Sequence, residues 1–302
     1  MTDTVLVVGA SGFLGRSLVE RLRGDAAFSG GRSSADDPDR DVLGTYCSSA
    51  GPTASVEFDF WTDDVADLVA ERDVDTVVFA AAVEYGGDID TGESDVAASF
   101  AERAERFATG CADTRFVYVS SASVFDGTAA PYGETDSRSP RDDYGRRLVA
   151  FEDAVREHCD DAAILRTSYL YGFSTGRLDH RFAETRECLD RGESVTYFSD
   201  MYKSPVLVTE AAETGAALVD GDVTGVLHVP APRVSVYEFH CEAMAALDYD
   251  PSAIELESIP ADMDVAPDLT LTSDRFGAVA GFEPSAVEPG LRSQLRAGTD
   301  RE

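Results

Sequence analysis

The feature that most constrains this chain lies near its start. The segment Gly9-Ala10-Ser11-Gly12-Phe13-Leu14-Gly15 stands between an apolar run, Val5-Leu6-Val7-Val8, and the helical pattern Leu14, Leu18, Val19, Leu22. A strand, a glycine turn and a helix in that order leave few folds open, because each glycine has a separate task. Gly9 permits the tight turn, Gly12 lets the backbone approach a pyrophosphate, and Gly15 lets the helix lie close on the strand. The helix then presents its unsatisfied first-turn N–H groups to the phosphates. A dinucleotide site is therefore expected here, with Ser11, Phe13, Leu14 and Arg16 completing its loop and helix start.

Strand and helix signals alternate along the next 170 residues or so. Val42–Cys47, Ser55–Phe58, Asp75–Ala80, Arg115–Ser120 and Ala163–Arg166 read as strands. Helices are expected near Thr62–Glu71 with Thr62 as N-cap, over 94–109, from about Asp143, and around Leu178–Arg191. Residues 24–41, rich in Gly, Ser, Asp and Arg, read as an exposed loop. This alternation predicts an α/β protein of the Rossmann type: a doubly wound parallel sheet with helices on both faces. Beyond about residue 170 the pattern loosens and prolines punctuate it. The expected organisation is a dinucleotide-binding core over 1–170 and a small C-terminal substrate lobe over 171–302, interleaved with the last core elements.

Charge adds a second constraint. The 302 residues carry 57 acidic against 25 basic side chains, a net charge of -32, and the acidic residues are spread along the whole chain. Lys203 is the only lysine, Gln294 the only glutamine, and asparagine is absent. Such a surface stays hydrated in concentrated salt, which also screens its self-repulsion. In this the chain resembles proteins of extremely halophilic archaea. A nucleic-acid partner is excluded, since a polyanion would be repelled. No apolar run reaches membrane-spanning length and the first strand begins almost at Met1, so no membrane association and a cytoplasmic location are expected. Five scattered cysteines without a CxxC pair, and four histidines without ligand spacing, point to neither a disulfide framework nor a metal site.

The middle of the chain carries the chemistry. Tyr118-Val119-Ser120-Ser121-Ala122-Ser123-Val124-Phe125-Asp126-Gly127 runs from the fifth strand into a loop, followed by Pro131-Tyr132-Gly133-Glu134, Pro140 and Tyr144-Gly145. Leu165-Arg166-Thr167-Ser168-Tyr169-Leu170-Tyr171-Gly172, Ser204-Pro205-Val206 and Gly281-Phe282 come later. Together these stretches resemble the extended short-chain dehydrogenase/reductase family, and within it the dTDP-4-dehydrorhamnose reductases. That resemblance implies a Ser/Thr, a Tyr and a Lys four residues after the Tyr. By position, Ser121 would hydrogen-bond a substrate carbonyl oxygen and Tyr144 would protonate it, while also touching the cofactor.

The pattern departs at one point. Tyr144-Gly145-Arg146-Arg147-Leu148 puts leucine where the family has lysine, which leaves Arg147, one position earlier, as the local cation able to act on Tyr144. The second strand ends in Thr45-Tyr46-Cys47-Ser48 without a carboxylate, so NADP(H) is preferred and NAD(H) is admitted, with Ser48 and Arg16 near the ribose. The resemblance further assigns Asp59 to the adenine and Ala80-Ala81-Ala82 to cofactor passage. It assigns Tyr171, Arg177, His180 and Lys203 to a nucleotide-sugar substrate, a 4-keto-6-deoxyhexose feeding surface-glycan supply. A homodimer is admitted. Two other readings stay open: a cofactor-binding regulatory subunit resembling that of methionine adenosyltransferase, and a nucleotide-sugar epimerase or dehydratase.

Overall fold

Seven parallel strands form the central sheet in the order β3-β2-β1-β4-β5-β6-β7. They are β1 (Asp3–Val8), β2 (Arg40–Tyr46), β3 (Val56–Glu57), β4 (Thr76–Phe79), β5 (Arg115–Ser121), β6 (Ala162–Thr167) and β7 (Gly225–His228). The computed structural model describes residues 3–24, 40–85 and 93–299. Most of the loop expected at 24–41 therefore lies outside the described residues. The order of connection reverses between β1 and β4, and a crevice opens there at the carboxyl ends of the strands, where ligands of such sheets bind.

The helices are α1 (Phe13–Leu22), α2 (Val65–Arg72), α3 (Glu93–Gly110), α4 (Asp143–His158), α5 (His180–Asp190), α6 (Val208–Asp220) and α7 (Val236–Ala246), followed by two more towards the C-terminus. Alternation along β5 shows why both sheet faces are covered. Phe116 and Tyr118 point into an aromatic layer with Phe79, Phe107 and Phe151, beneath α3 and α4. Val117 points the other way, into an aliphatic layer with Leu18 of α1 and Ala212 and Ala216 of α6. Each fully buried aromatic or branched side chain contributes about 1.5–3 kcal/mol.

One expectation is corrected. Helix α2 begins after Asp64, whose carboxylate accepts the Ala66 amide at 3.1 Å, so Thr62 is not its N-cap. Asp59 explains the delay: its side chain accepts the Trp61 amide and its carbonyl the Thr62 amide, which closes a separate turn first. The lobe segment is interleaved with core elements. The chain leaves β6 for the lobe, then returns over 206–229 to place α6 beside α1 and β7 beside β6. The lobe has its own core, in which Tyr171, Phe182, Phe239 and Leu291 pack together. No helix among the described residues is long and apolar enough to cross a membrane.

Candidate active site

The crevice is a cleft of about 970 Å³ running from the glycine turn to the lobe. Its first wall is backbone. Gly9, Ser11, Gly12, Phe13 and Leu14 line it, while Gly15 lies behind them, packed so close on the Gly9 carbonyl that no side chain would fit. Gly12 is the N-cap of α1 and offers no side-chain acceptor. The first-turn amides of α1 therefore have no side-chain acceptor at the cap, which suits the pyrophosphate of a dinucleotide. Thr45 braces the turn by accepting the Gly9 amide at 3.1 Å, and Thr53 donates to the Ala10 carbonyl at 2.9 Å. Further along, Asp59 and the small residues Ala80, Ala81 and Ala82 line the cleft as the sequence leads one to expect. Arg16 and Ser48 do not. Arg16 turns back to the Ser11 carbonyl at 2.9 Å, and Ser48 is exposed beyond the cleft edge, where Cys47 takes the lining position.

Ser121 and Tyr144 both line this cleft although they stand on different elements. Ser121 ends β5, beside Thr167 of β6. Its Oγ accepts the Ser123 amide at 3.2 Å and thereby starts a short helical turn over Ala122–Val124. Asp142 caps α4 by accepting the Gly145 amide at 2.7 Å. Gly145 then packs so tightly on the Ser123 carbonyl that a Cβ would collide with it. The glycine after Tyr144 thus lets the start of α4 lie against the loop after β5, which puts both residues on the wall of one cleft.

One turn along α4 the geometry turns Leu148, rather than Arg147, towards the cleft. Leu148, at i+4, is the residue that lines the cleft, and it is buried against the aromatic core. Arg147 donates to the Glu84 carbonyl at 2.8 Å and lies over the Phe100 ring, and it is not part of the cleft wall. A one-residue offset on a helix turns a side chain by about 100°, enough to send the cation elsewhere.

The lobe supplies the far wall. Lys203 lines it, buried, with its ammonium 5.6 Å from the Tyr169 ring; burial draws its pKa down to about 8 against the opposing pull of Asp268. The other three substrate residues expected from the sequence are placed elsewhere. Tyr171 is wholly buried in the lobe core, with its hydroxyl near the Ala286 carbonyl at 3.4 Å. Arg177 sits exposed on a small hairpin, and His180 projects from the start of α5 with a largely exposed side chain. Their neighbour Arg181 faces the cleft instead, held by Asp179 at 2.8 Å and stacked 4.5 Å over Tyr169. Arg141, ion-paired with Asp264, lines the mouth. Neither arginine carries a sequence signal that separates it from the other arginines of the chain.

Two buried glutamates flank β5, and neither is evident from the sequence. Glu152 of α4 accepts Ser120 Oγ at 2.7 Å and both arms of Arg166, at 2.8 and 2.6 Å. Burial alone would raise its pKa, but Arg166 and Ser120 outweigh that and hold it below the usual carboxylate value. Arg166 continues to His228 at 3.2 Å, and burial together with this arginine pulls the imidazole pKa down. Glu84, just after the three alanines, lines the cleft and accepts the Tyr118 hydroxyl at 2.7 Å. Burial pushes its carboxyl up to about 7, which the Tyr118 hydrogen bond and Arg147 only partly offset.

Comparison with known proteins matches this arrangement. The dTDP-4-dehydrorhamnose reductase of Bacillus anthracis, solved in complex with NADP, superposes with a TM-score of 0.76, covering 98% of this chain and 99% of its own at 20% identity, which is a likeness of fold. The dTDP-4-keto-6-deoxy-D-glucose reductase of Streptomyces niveus is 31% identical over 270 residues, 87% of this chain and 84% of that protein. The probable low-salt glycan biosynthesis reductase Agl14 of Haloferax volcanii is 32% identical over 267 residues, 85% of this chain and 84% of that protein. The model of the RmlD substrate binding domain matches residues 3–299, and the chain belongs to that family.

Proposed function

We propose that this protein is an NADP(H)-dependent reductase of a nucleotide-activated 4-keto-6-deoxy sugar, supplying a precursor of surface glycans in a cell whose cytoplasm is rich in salt. The observation that carries this reading is the convergence of Ser121 and Tyr144 in the cleft that begins at the uncapped end of α1. The Streptomyces niveus reductase and the Haloferax volcanii glycan biosynthesis reductase, each about a third identical to this chain, support the same class. NADP(H) is preferred over NAD(H) because β2 ends in Thr45 and Tyr46 and runs on into Cys47 and Ser48, with no carboxylate to engage a free ribose hydroxyl.

NADPH, when bound along the glycine turn, would supply the hydride. The chain does the rest. Ser121 donates a hydrogen bond to the carbonyl oxygen and Tyr144 gives that oxygen a proton as negative charge develops on it. Lys203 and Arg181 present positive charge towards an anionic nucleotide, in a protein whose net charge would otherwise repel one.

The test is NADPH oxidation in molar KCl with a freshly generated dTDP-4-keto-6-deoxyhexose, with the product identified by mass spectrometry. The parent should turn over, and Tyr144→Phe should lose at least about 100-fold in kcat while NADPH binding, read by fluorescence, is unchanged. Equal rates for the two would remove Tyr144 from the mechanism. Turnover by Leu148→Lys alone would favour the second reading, a cofactor-binding regulatory subunit, which the apolar Leu148 in the cleft wall already suggests.

A further inference from the structure

Glu84 occupies the cleft without a task in the reduction step. It is 4% exposed, it lines the same cavity as Ser121 and Tyr144, and its carboxylate accepts the Tyr118 hydroxyl. We propose that Glu84 resupplies the proton that Tyr144 gives to the substrate, a role that rests on the reductase reading.

Three placements support this. Leu148 fills the cleft wall one turn beyond Tyr144, so no ammonium stands there to pass protons to the tyrosine. Arg147, on the same helix, grips the Glu84 backbone carbonyl and so fixes the segment after β4 against the start of α4. The Tyr118 hydroxyl, donating at 2.7 Å, remains to stabilise the carboxylate once its proton has left. A carboxyl with a pKa of about 7 carries its proton for much of the time at neutral pH, which a relay requires.

The balance is simple. Tyr144 loses a proton to the reduced carbonyl oxygen and becomes a phenolate. The Glu84 carboxylic acid gives the phenolate a proton and becomes a carboxylate. Solvent in the cleft then reprotonates Glu84. The ionisable groups that act on Glu84 are Tyr118 from β5 and Arg147 from α4, and Tyr144 of α4 acts in turn on Tyr118. Glu152 also acts on Tyr118, but Arg166 already neutralises it.

A purely structural carboxyl would hold Tyr118 equally well, so the test reads protons rather than fold. Glu84→Gln keeps an acceptor of the same shape for Tyr118, and circular dichroism checks that the variant is folded. In the ligand-free parent, infrared difference spectra should show a protonated carboxyl that titrates around pH 7. That band should be absent from Glu84→Gln, and its midpoint should move in Tyr144→Phe. In the reductase assay, the parent's kcat should fall as pH rises above about 7, because Glu84 then lacks its proton. Glu84→Gln should lower kcat about tenfold near pH 7 with KM within about twofold, and should lose that pH dependence; Glu84→Asp should recover part of the rate. An unchanged kcat and pH profile in Glu84→Gln would overturn the proposal. If the parent reduces no keto sugar, it is the reductase reading that fails. The infrared data then decide whether Glu84 and Tyr144 are proton-coupled, and a band indifferent to Tyr144→Phe would refute it.

Discussion

Glu152 and Glu84 are buried to nearly the same degree, on partners two residues apart along one strand, yet their pKa values move in opposite directions. Glu152 meets the guanidinium of Arg166, which holds its pKa below the usual carboxylate value; Glu84 accepts from the phenol of Tyr118, feels Arg147 more weakly, and is drawn towards neutrality. Burial therefore does not fix the charge of a carboxyl. The partner does. The ion pair ties α4 to β6 beneath Ser121 and has a structural task. The neutral-leaning acid opens onto the cleft, where an exchangeable proton is useful.

The comparison breaks most visibly if the ion pair is halved. Glu152→Ala leaves Arg166 charged, buried and unpaired, and should cost about 3–5 kcal/mol in chemical denaturation, enough to threaten folding. Replacing both residues together, Glu152→Ala with Arg166→Met, should cost clearly less than the sum of the two single changes. Additive losses would mean that the two residues do not act as a unit.

Glu84 should respond to pH in the opposite sense. Its folded pKa of about 7 lies above the ordinary 4.5, so its stabilising share is complete below pH 4.5 and is lost as pH rises through about 7. Glu84→Gln should therefore gain on the parent between pH 5 and 8, by up to about 3 kcal/mol, in parallel denaturant titrations. A difference that stays flat across that window would place the carboxyl in the usual range and erase the contrast with Glu152. The smallest effect belongs to the surface. The Arg141–Asp264 pair at the cleft mouth is solvent-exposed, so Asp264→Asn should change stability by less than about 0.5 kcal/mol and by nothing measurable in molar KCl.

What was legible in the sequence depends on the range of the physical requirement. The glycine turn is a local demand of backbone and helix start, so Gly9 to Leu14 could be read in place. Ser121 and Tyr144 were legible because motif and spacing mark them. In the lobe, Lys203 was legible as the single lysine of the chain and does line the cleft, but the other residues were not. Tyr171, Arg177 and His180 lie in a segment that reaches the cleft, but only the tertiary packing of α5 decides that Arg181 is the one to face it. Glu84 and Glu152 are two acids among 57, and their partners stand 34 and 32 residues away. No local pattern separates them from the solvated majority.

The double crossing between core and lobe has a consequence for how this molecule can be taken apart. Because α6 and β7 come from residues beyond the first passage through the lobe, truncation after residue 170 would remove the edge strand that pairs with β6 and the helix that covers α1. The remainder would present an open apolar edge and should aggregate rather than stand alone. Core and lobe are thus one cooperative unit in engineering terms: the lobe can be resurfaced or grafted within, but it cannot be exchanged as a cassette between related chains at a single junction.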